Sequence, residues 1–408
     1  MTPDERPIFA TSVARSGGTL LCAMLSAHPE LAVASEPLLP LYRSFRNAVV
    51  AASAARPRSF DPAAPLSDAY YRADDLAVMD LVREATLAVP VPPAERSSLA
   101  AACRARAAHQ APDLAATLDD GFVGSTYLDT IRAVLRRLGD ARRRARVGLK
   151  DAWHIDCFEA VARSFPQARF IVLLRDPRAA VASMLAVART DPEQVGDVLS
   201  YARHWRRLIA WLLEELATRR LGDRLLVVRY EDLVTRPEAE ARRLCAFLGA
   251  PFDARMLHPR EHAADGTATP WTGNSSFVAE VRGISSAGID RWRHQLDPTT
   301  RRVVELVCGP DMPAAGYEPD ETNIRPDGAL VAALVDASTR YAAWRTTLGD
   351  PSADLGAELL RRALLALDGR TLDDGVLRRA FLFRSAHEGL RAGTSVVPAA
   401  SVGEVMTA

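Results

Sequence analysis

The chain has 408 residues, of which 48% are hydrophobic and 25% are charged. This is an ordinary globular composition, and the length suffices for one large domain or two. The 51 Lys and Arg residues balance the 51 Asp and Glu residues, so the formal net charge is zero. No overall field favours nucleic acid or an anionic membrane, and any anion site must be a local arrangement. We expect small or neutral partners and no nucleic acid.

The sequence shows no pattern typical of a targeting segment, a membrane span or a metal site. Residues 1–7 are polar and lack a basic segment followed by an apolar one. The most apolar helical run, residues 208–217, contains Glu214 and Glu215 and is shorter than the ~20 residues that span a bilayer. The five cysteines form no CxxC pair, and the eight histidines show no HxxxH or HExxH spacing. We expect a soluble cytoplasmic protein with buried free thiols, no metal and no membrane span.

The opening stretch predicts a short buried strand from Ile8, a turn and a helix. Apolar residues recur at helical spacing after the turn, at Leu20, Leu21, Met24 and Leu25. Gly17 and Gly18 leave backbone N–H groups unobstructed, and Arg15 adds a full positive charge. The pattern is not a Walker A loop, because Gly18 rather than Lys precedes Thr19. The turn therefore favours a phosphate or sulfuryl group, and ATP and GTP become less favoured ligands.

The segment from about residue 43 to residue 120 is predicted to be a helical insertion. It is rich in Ala and Pro, with helical patterns over residues 75–88 and 95–118. An insertion of this length can form a wall or lid over the site.

From residue 122 onward the chain alternates strands and helices. We predict strands at residues 147–149, 169–174 and 224–229, and helices at 126–138, 155–165, 178–187, 195–219 and 237–248. This alternation favours a parallel α/β sheet, in which ligands bind at the carboxyl ends of the strands. Arg15, Lys150 and Arg175 each follow a predicted strand. Three cations should therefore converge on one rim and form a polyanion site.

The last third of the chain has a different organisation. Residues 250–282 are irregular, and the following loop carries Arg291, Trp292 and Arg293, which suggests a segment that folds over a ligand. Beyond residue 320, helical patterns cover residues 329–346, 353–367 and 374–390. We predict two units, an α/β domain over residues 1–320 and a helical C-terminal extension over residues 321–408.

Several ordered blocks of the sequence resemble the sulfotransferases that use 3′-phosphoadenosine 5′-phosphosulfate (PAPS). The resemblance is to the group that includes tyrosylprotein and bacterial small-molecule or glycolipid sulfotransferases, and it covers roughly residues 7–318. The blocks are ARSGGTLLCAMLSAHPEL with a following SEP, VGLKDAWHI, ARFIVLLRDPRAAVASML, LLVVRYEDLVTRPEAEARRLCAFLG and GISSAGIDRWRHQL. The resemblance implies an α/β fold with a P-loop-type parallel sheet flanked by helices.

The resemblance also implies a set of donor-binding residues. The turn after the first strand would hold the 5′-phosphosulfate through Arg15, Ser16, Gly17, Gly18 and Thr19. Arg175 and Ser183, eight residues apart, would hold the ribose 3′-phosphate, which a guanidinium can bind through two hydrogen bonds. Tyr230, Ser276 and Arg291 match positions that relatives use around the nucleotide. Relatives usually carry Thr or Ser where this chain has Gly18, so one hydroxyl contact to the donor is in doubt.

The implied reaction is in-line sulfuryl transfer without a metal, to an alcohol, phenol or amine of a small-molecule, glycolipid or peptide acceptor. Arg15 and Lys150 would stabilise charge on the departing oxygen. In the resembling tyrosylprotein group a Glu at the offset of Glu36 serves as general base, and Pro37 restrains Glu36 from helical geometry. We expect burial near Leu38 and Leu39 to raise the pKa of Glu36, against the opposing charges of Arg15 and Lys150. We consider a homodimer as the assembly of this protein.

Two other functions stay open on the sequence. A P-loop kinase of a small metabolite would share the strand, turn and helix, and would show magnesium-dependent ATP turnover. A non-catalytic sulfotransferase-like binding protein would keep Arg175 and Ser183 without acid–base chemistry.

Overall fold

A computed structural model of the chain describes residues 6–55, 57, 60–63, 73–152, 154–190, 198–262, 283–340 and 351–397. Five parallel strands form one sheet in the order β2-β3-β1-β4-β5. The strands are β1 (Ile8–Ser12), β2 (Leu31–Ser35), β3 (Arg146–Lys150), β4 (Arg169–Leu174) and β5 (Leu225–Arg229).

Four of these strands confirm the predicted ones, and β2 was not predicted. Its five residues, LAVAS, are all buried, but two are Ala and the run is short. Such a run carries little β propensity of its own and gains its stability from pairing with β3. The missed strand matters because it ends directly before Glu36.

Helices cover both faces of the sheet. Up to β4 they are α1 (Gly18–Ala27), α2 (Leu39–Ala52), α3 (Ala73–Glu84), α4 (Arg96–Gln110), α5 (Pro112–Ala115), α6 (Tyr127–Arg142) and α7 (Phe158–Ser164). After β4 they are α8 (Pro177–Thr190), α9 (Val198–Thr218), α10 (Tyr230–Thr235), α11 (Pro237–Leu248), α12 (Pro259–His262), α13 (Trp292–Gln295), α14 (Pro298–Cys308), α15 (Gly328–Arg340), α16 (Pro351–Leu365), α17 (Asp374–Phe381) and α18 (Arg384–Arg391).

Except for one over residues 374–390, the predicted helices are present where the structure describes them, but α2, α10, α12, α13 and α14 were missed. In α2 a Pro lies in the first turn, where its missing N–H costs nothing. In α14 the β-branched run obscures the helical pattern, although Asp297 caps the helix by accepting from Thr300 N. The single helix predicted over residues 374–390 is wrong, because Leu382 adopts a left-handed backbone, φ 65°, and separates α17 from α18.

Alternate residues of the central strand serve two hydrophobic cores. Ile8 and Ala10 face the core under α1 and α11, while Phe9 faces a larger core that contains residues of α2, α4, α9 and α14. Residues of α15, α16 and α17 also belong to the larger core. The insertion and the C-terminal helices therefore pack on one side of the sheet; the division into units at residue 320 stays a prediction.

One glycine sets the spacing of the central strands. A Cβ at Gly148 of β3 would lie 2.6 Å from Cβ and from O of Ile8 in β1. Only glycine permits this close approach, which brings Lys150, two residues later, next to the end of β1.

All five cysteines are buried and free, as their spacing predicts. Within the described ranges, no helix is long and apolar enough to cross a membrane. No group of three or more His, Cys, Asp or Glu among the same residues is arranged to hold a metal ion.

Candidate active site

At or just beyond the carboxyl end of each strand lies a residue that the sequence predicts to be functional. Arg15 lies three residues beyond β1, and Lys150 is the last residue of β3. Arg175 directly follows β4. Glu36 directly follows β2, and Tyr230 directly follows β5. Because all five strands are parallel, these residues lie along one edge of the sheet, at the carboxyl ends of the strands. The strand order changes direction next to β1, and this is the place where ligands bind in such sheets.

The turn between β1 and α1 combines a left-handed backbone with a buried hydroxyl. Arg15 and Gly17 have φ 69° and 92°, which directs successive N–H groups inward ahead of the helix. Ser16 is 1% exposed, and its Oγ has no hydrogen-bond partner in the structure. Thr19 is exposed at the start of α1. An unsatisfied buried hydroxyl beside a helix N-terminus is a feature of an anion site.

The two glycines of the turn make room for neighbouring side chains. A Cβ at Gly17 would overlap the Tyr230 ring, and a Cβ at Gly18 would lie 2.6 Å from Lys150 Nζ. Gly18 is the position where the resemblance implies a hydroxyl residue. Here the space is filled by Lys150, which gives a physical reason for the departure.

Arg175 links the turn to the helix that follows β4. Its Nη1 donates to the Arg15 carbonyl at 2.8 Å, and its guanidinium lies 4.4 Å from the centre of the Tyr230 ring. Arg15 Nε donates to Ser183 Oγ of α8 at 3.3 Å. Burial lowers the pKa of Arg15, and the charge of Arg175 acts in the same direction. Arg15, Arg175 and Ser183 therefore form one cluster, which contains two of the three cations that were predicted to converge.

Glu36 is held by two cations. Lys150 Nζ donates to Oε1 at 2.9 Å, and Arg106 Nη2 donates to Oε2. Burial by itself raises the pKa of Glu36, but the charges and hydrogen bonds of Lys150 and Arg106 outweigh burial and lower the pKa to about 2. The predicted rise of the Glu36 pKa is therefore wrong for this arrangement. No pattern in the sequence indicates that a second cation, from the insertion, reaches this carboxylate.

A buried polar cluster lies behind Lys150. Asp151 is fully buried; its Oδ1 accepts from Leu38 N at 2.9 Å, and its Oδ2 has no partner in the structure. His154 stacks on Tyr42 with ring centres 4.4 Å apart, and its Nδ1 lies 3.3 Å from Thr11 Oγ1. Burial raises the pKa of Asp151 to about 7 and lowers that of His154 to about 3. His154 is therefore neutral at neutral pH. Because only 1% of it is exposed, an acceptor cannot approach the ring closely enough to transfer a proton to it.

The remaining predicted residues are placed less directly. Tyr230 is 2% exposed and packs under the turn, so it supports the turn rather than presenting an open surface. Arg291 follows a loop whose Gly288 carbonyl accepts from Arg175 Nη2 at 3.5 Å. Ser276 lies outside the described residues.

Two supporting residues of the site were missed from sequence. Arg106 lies 70 residues beyond Glu36 within an Ala-rich helix, where no local pattern sets it apart. Trp205 of α9 donates from Nε1 to the Arg175 carbonyl at 2.8 Å. The spacing of apolar residues in α9 predicted the helix, but not which of its residues would reach the strand end.

A parallel α/β sheet with a glycine turn after its first strand and cations along its carboxyl edge defines a P-loop-type anion-binding protein. The model of the Sulfotransferase family matches residues 7–254. The chain belongs to this family.

Similar curated proteins are sulfotransferases for protein tyrosine and for carbohydrate. The chain is 29% identical over 176 residues to Protein-tyrosine sulfotransferase 1 of Danio rerio, covering 42% of this chain and 48% of that protein. It is 32% identical over 164 residues to Carbohydrate sulfotransferase 3 of Mus musculus, covering 37% and 34%. The chain thus spans about half, or less, of the length of these relatives.

Among solved structures, the sulfotransferase domain from the Synechococcus PCC 7002 olefin synthase has a TM-score of 0.43 and 23% identity, over 73% of this chain and 90% of that domain. The sulfotransferase domain from the curacin biosynthetic pathway has a TM-score of 0.43 and 18% identity, over 73% and 93%.

Proposed function

We propose that the protein is a PAPS-dependent sulfotransferase that transfers a sulfuryl group to a hydroxyl or amine of a small-molecule, glycolipid or peptide acceptor. The observation that carries this proposal is the meeting of Arg15 and Lys150 with the carboxylate of Glu36 at the carboxyl edge of the sheet. The buried Lys150, paired with the ionised Glu36, and the half-buried Arg15, whose charge interacts with the same carboxylate, would supply charge stabilisation and a proton acceptor at the same place.

The residues present fit a nucleotide that carries anionic groups at both the 5′ and 3′ ends. Residues 15–19 would hold the 5′ end, where Ser16 Oγ offers a buried hydroxyl without a partner in the structure. Arg175 and Ser183 would hold the 3′-phosphate, with Tyr230, Arg291 and Ser276 around the nucleoside. When bound, PAPS supplies the sulfuryl group and the bridging oxygen that departs with adenosine 3′,5′-bisphosphate (PAP).

Arg15 and Lys150 would act by placing positive charge where negative charge develops on the departing oxygen. Both side chains are largely removed from water, and Lys150 is 3% exposed, which strengthens their electrostatic effect. This role needs no divalent cation. Their positions are fixed in advance by the turn and by the end of β3, so little reorganisation is needed during the reaction.

Glu36 would accept the acceptor's proton. With a pKa of about 2 it is ionised at neutral pH, as a base must be. A base this weak gains little from proton transfer. Its burial favours a higher pKa whenever one of its two cations moves away, so its basicity depends on Lys150 and Arg106.

The wider organisation follows from the same proposal. Residues 1–320 would form the PAPS-binding unit, with the insertion at about 43–120 as a wall of the acceptor side and residues 321–408 as a helical extension. A cytoplasmic location and a homodimer are proposed with it.

The test is transfer of radiolabelled sulfuryl from PAPS to a panel of phenols, sugars and lipid-linked sugars, with mass spectrometry of the products. We expect a labelled acceptor whose formation survives EDTA and is lost in the Lys150→Ala variant. Magnesium-dependent ATP turnover without transfer would indicate the kinase instead. PAP binding with neither transfer nor PAPS hydrolysis would indicate a binding protein.

A further inference from the structure

A residue of the insertion occupies the oxygen that Glu36 needs for catalysis. Arg106 of α4 donates from Nη2 to Glu36 Oε2, while Lys150 occupies Oε1. Both carboxylate oxygens are therefore paired with a cation. Each oxygen keeps a further lone pair, but the two cations stabilise the ionised carboxylate and oppose its protonation, so one of the two contacts must break before Glu36 can act as an effective base.

The backbone at Glu36 is held at the sheet edge. Glu36 has a left-handed backbone, φ 51°, and its N–H donates to the Lys150 carbonyl at 2.5 Å. Two residues later, Leu38 N donates to Asp151 Oδ1 at 2.9 Å. These contacts fix the chain on both sides of the carboxylate, so displacement of a cation is a smaller change than displacement of this loop.

Arg106 is the cation that is able to move. The Lys150 side chain is 4% exposed and packed against Gly18, whereas the Arg106 side chain is 39% exposed. Arg106 Nε is buried and has no hydrogen-bond partner in the structure. An unsatisfied buried N–H donor costs free energy. This cost favours a second position of the Arg106 side chain, in which Nε is hydrogen-bonded.

Other charged and titratable groups also face Glu36, and they come from several elements. They are Arg15 of the turn, Cys22 of α1, Asp151 and His154 beyond β3, Lys150 of β3 and Arg106 of α4. Of these, only Lys150 and Arg106 are recorded as hydrogen-bonded to the carboxylate among the described residues. Arg106 is the one that comes from outside the sheet edge.

We propose that Arg106 is a latch on the general base, a positioning residue that keeps Glu36 idle until an acceptor displaces the guanidinium from Oε2. The inference rests on the proposed function. With the latch closed, a water molecule near the donor meets a carboxylate whose two cations oppose its protonation. With the latch open, Glu36 Oε2 takes the proton of the attacking oxygen as the new S–O bond forms and the bridging S–O bond breaks, with PAP as the leaving group.

The test measures release of PAP from PAPS without any acceptor, in wild type, Arg106→Gln and Arg104→Gln. Arg104 is the matched control because it lies on the same helix, is 41% exposed at the side chain and pairs with Asp120 rather than with the site. We expect Arg106→Gln to raise acceptor-independent PAP release by about tenfold or more, which is part of the roughly 10²–10⁴-fold that general-base catalysis contributes. Arg104→Gln should match wild type, and calorimetry should give the same PAP affinity for all three proteins.

Two further variants separate the latch from a structural role. In the double variant Arg106→Gln/Glu36→Gln the gain should vanish, because it acts through Glu36. Arg106→Lys, which keeps the charge, should restore part of the suppression. Unchanged or slower PAP release in Arg106→Gln, or a gain that persists without Glu36, overturns the latch. A wild-type protein that does not bind PAP at all would overturn the proposed function instead.

Discussion

At the scale of single residues, Glu36 is the group on which the proposed chemistry depends most. The Glu36→Gln variant keeps the shape and one hydrogen-bond acceptor for Lys150, but it cannot take a proton. We expect PAP affinity to stay within about twofold of wild type and turnover to fall by about a hundredfold or more. Steady-state kinetics and calorimetry on the same preparations measure both. Glu30→Gln, at an exposed position, should leave both unchanged; a Glu36→Gln protein with near wild-type turnover would remove Glu36 as the base.

Asp151 makes the stability of the protein depend on pH. Burial raises its pKa to about 7, whereas an aspartate in the unfolded chain titrates near about 3.9. Between these values the folded state binds more protons, so stability is highest below about pH 4 as far as Asp151 is concerned and falls as the pH rises toward 7. Asp151→Asn cannot ionise and keeps an oxygen for Leu38 N, so we expect it to lose this part of the pH dependence.

Denaturant unfolding across this pH range measures the effect. Asp151→Ala also removes the acceptor for Leu38 N, so its free energy of unfolding should be about 1–3 kcal/mol lower than that of Asp151→Asn at every pH. Equal pH slopes for wild type and Asp151→Asn would contradict the assignment.

The cations along the sheet edge could be predicted from the sequence, whereas the partners of Glu36 could not. Arg15, Lys150 and Arg175 each follow a predicted strand, so parallel topology alone predicts that they lie along one edge of the sheet. Arg106 reaches Glu36 only through the packing of α4 on the missed strand β2, which no local pattern encodes. For the same reason the direction of the Glu36 pKa shift was predicted wrongly, since burial was foreseen and the second cation was not.

At the scale of elements, the turn between β1 and α1 depends on Gly17. An alanine there would be strained at φ 92° and would overlap the Tyr230 ring, which is fully packed under Arg175. We expect Gly17→Ala to weaken PAP binding by at least about tenfold, because displacement of the turn or of Tyr230 disturbs the backbone N–H groups that face the ligand. Gly356→Ala is the control, since a Cβ there meets nothing within 4 Å. Equal PAP affinity of Gly17→Ala and wild type would contradict this account of the turn.

The C-terminal helices are tied to the site through α9. Glu358 of α16 lies 3.2 Å from Arg203 and 2.5 Å from Arg206, and these groups are almost fully buried. Trp205, which lies between the two arginines in the sequence, donates from Nε1 to the Arg175 carbonyl. Without Glu358, Arg203 keeps Asp354 at 2.7 Å, whereas Arg206 loses its ion pair with Glu358 and the buried network loses one carboxylate.

We expect Glu358→Ala to lower the free energy of unfolding by about 3–5 kcal/mol and to weaken PAP binding as α9 shifts. Glu388→Ala in α18, an exposed position, should change stability by no more than about 0.5 kcal/mol. Chemical denaturation measures both variants. A Glu358→Ala protein as stable as Glu388→Ala would show that the buried network contributes nothing.

At the scale of the whole molecule, the sheet was predictable where the sequence pattern is strong. The continuous apolar run of β4 and the strand, turn and helix at Gly17 predicted their structures directly. The short Ala-rich β2 and the β-branched α14 were missed, because tertiary packing rather than local propensity stabilises them. How the insertion and the C-terminal helices share one core also could not be read from periodicity, since it depends on contacts between residues distant in sequence.

The central claim is that the protein recognises a PAPS-type donor by binding its 3′-phosphate through Arg175 and Ser183. AMP differs from PAP only by lacking that phosphate, so calorimetric titration of both ligands isolates the contribution. Hydrogen bonds to a charged group contribute about 1.5–3 kcal/mol, so we predict that PAP binds at least about tenfold more tightly than AMP. We also predict that Ser183→Ala lowers the ratio of PAP affinity to AMP affinity without abolishing the binding of AMP. Equal affinities of the wild-type protein for PAP and AMP would contradict the claim.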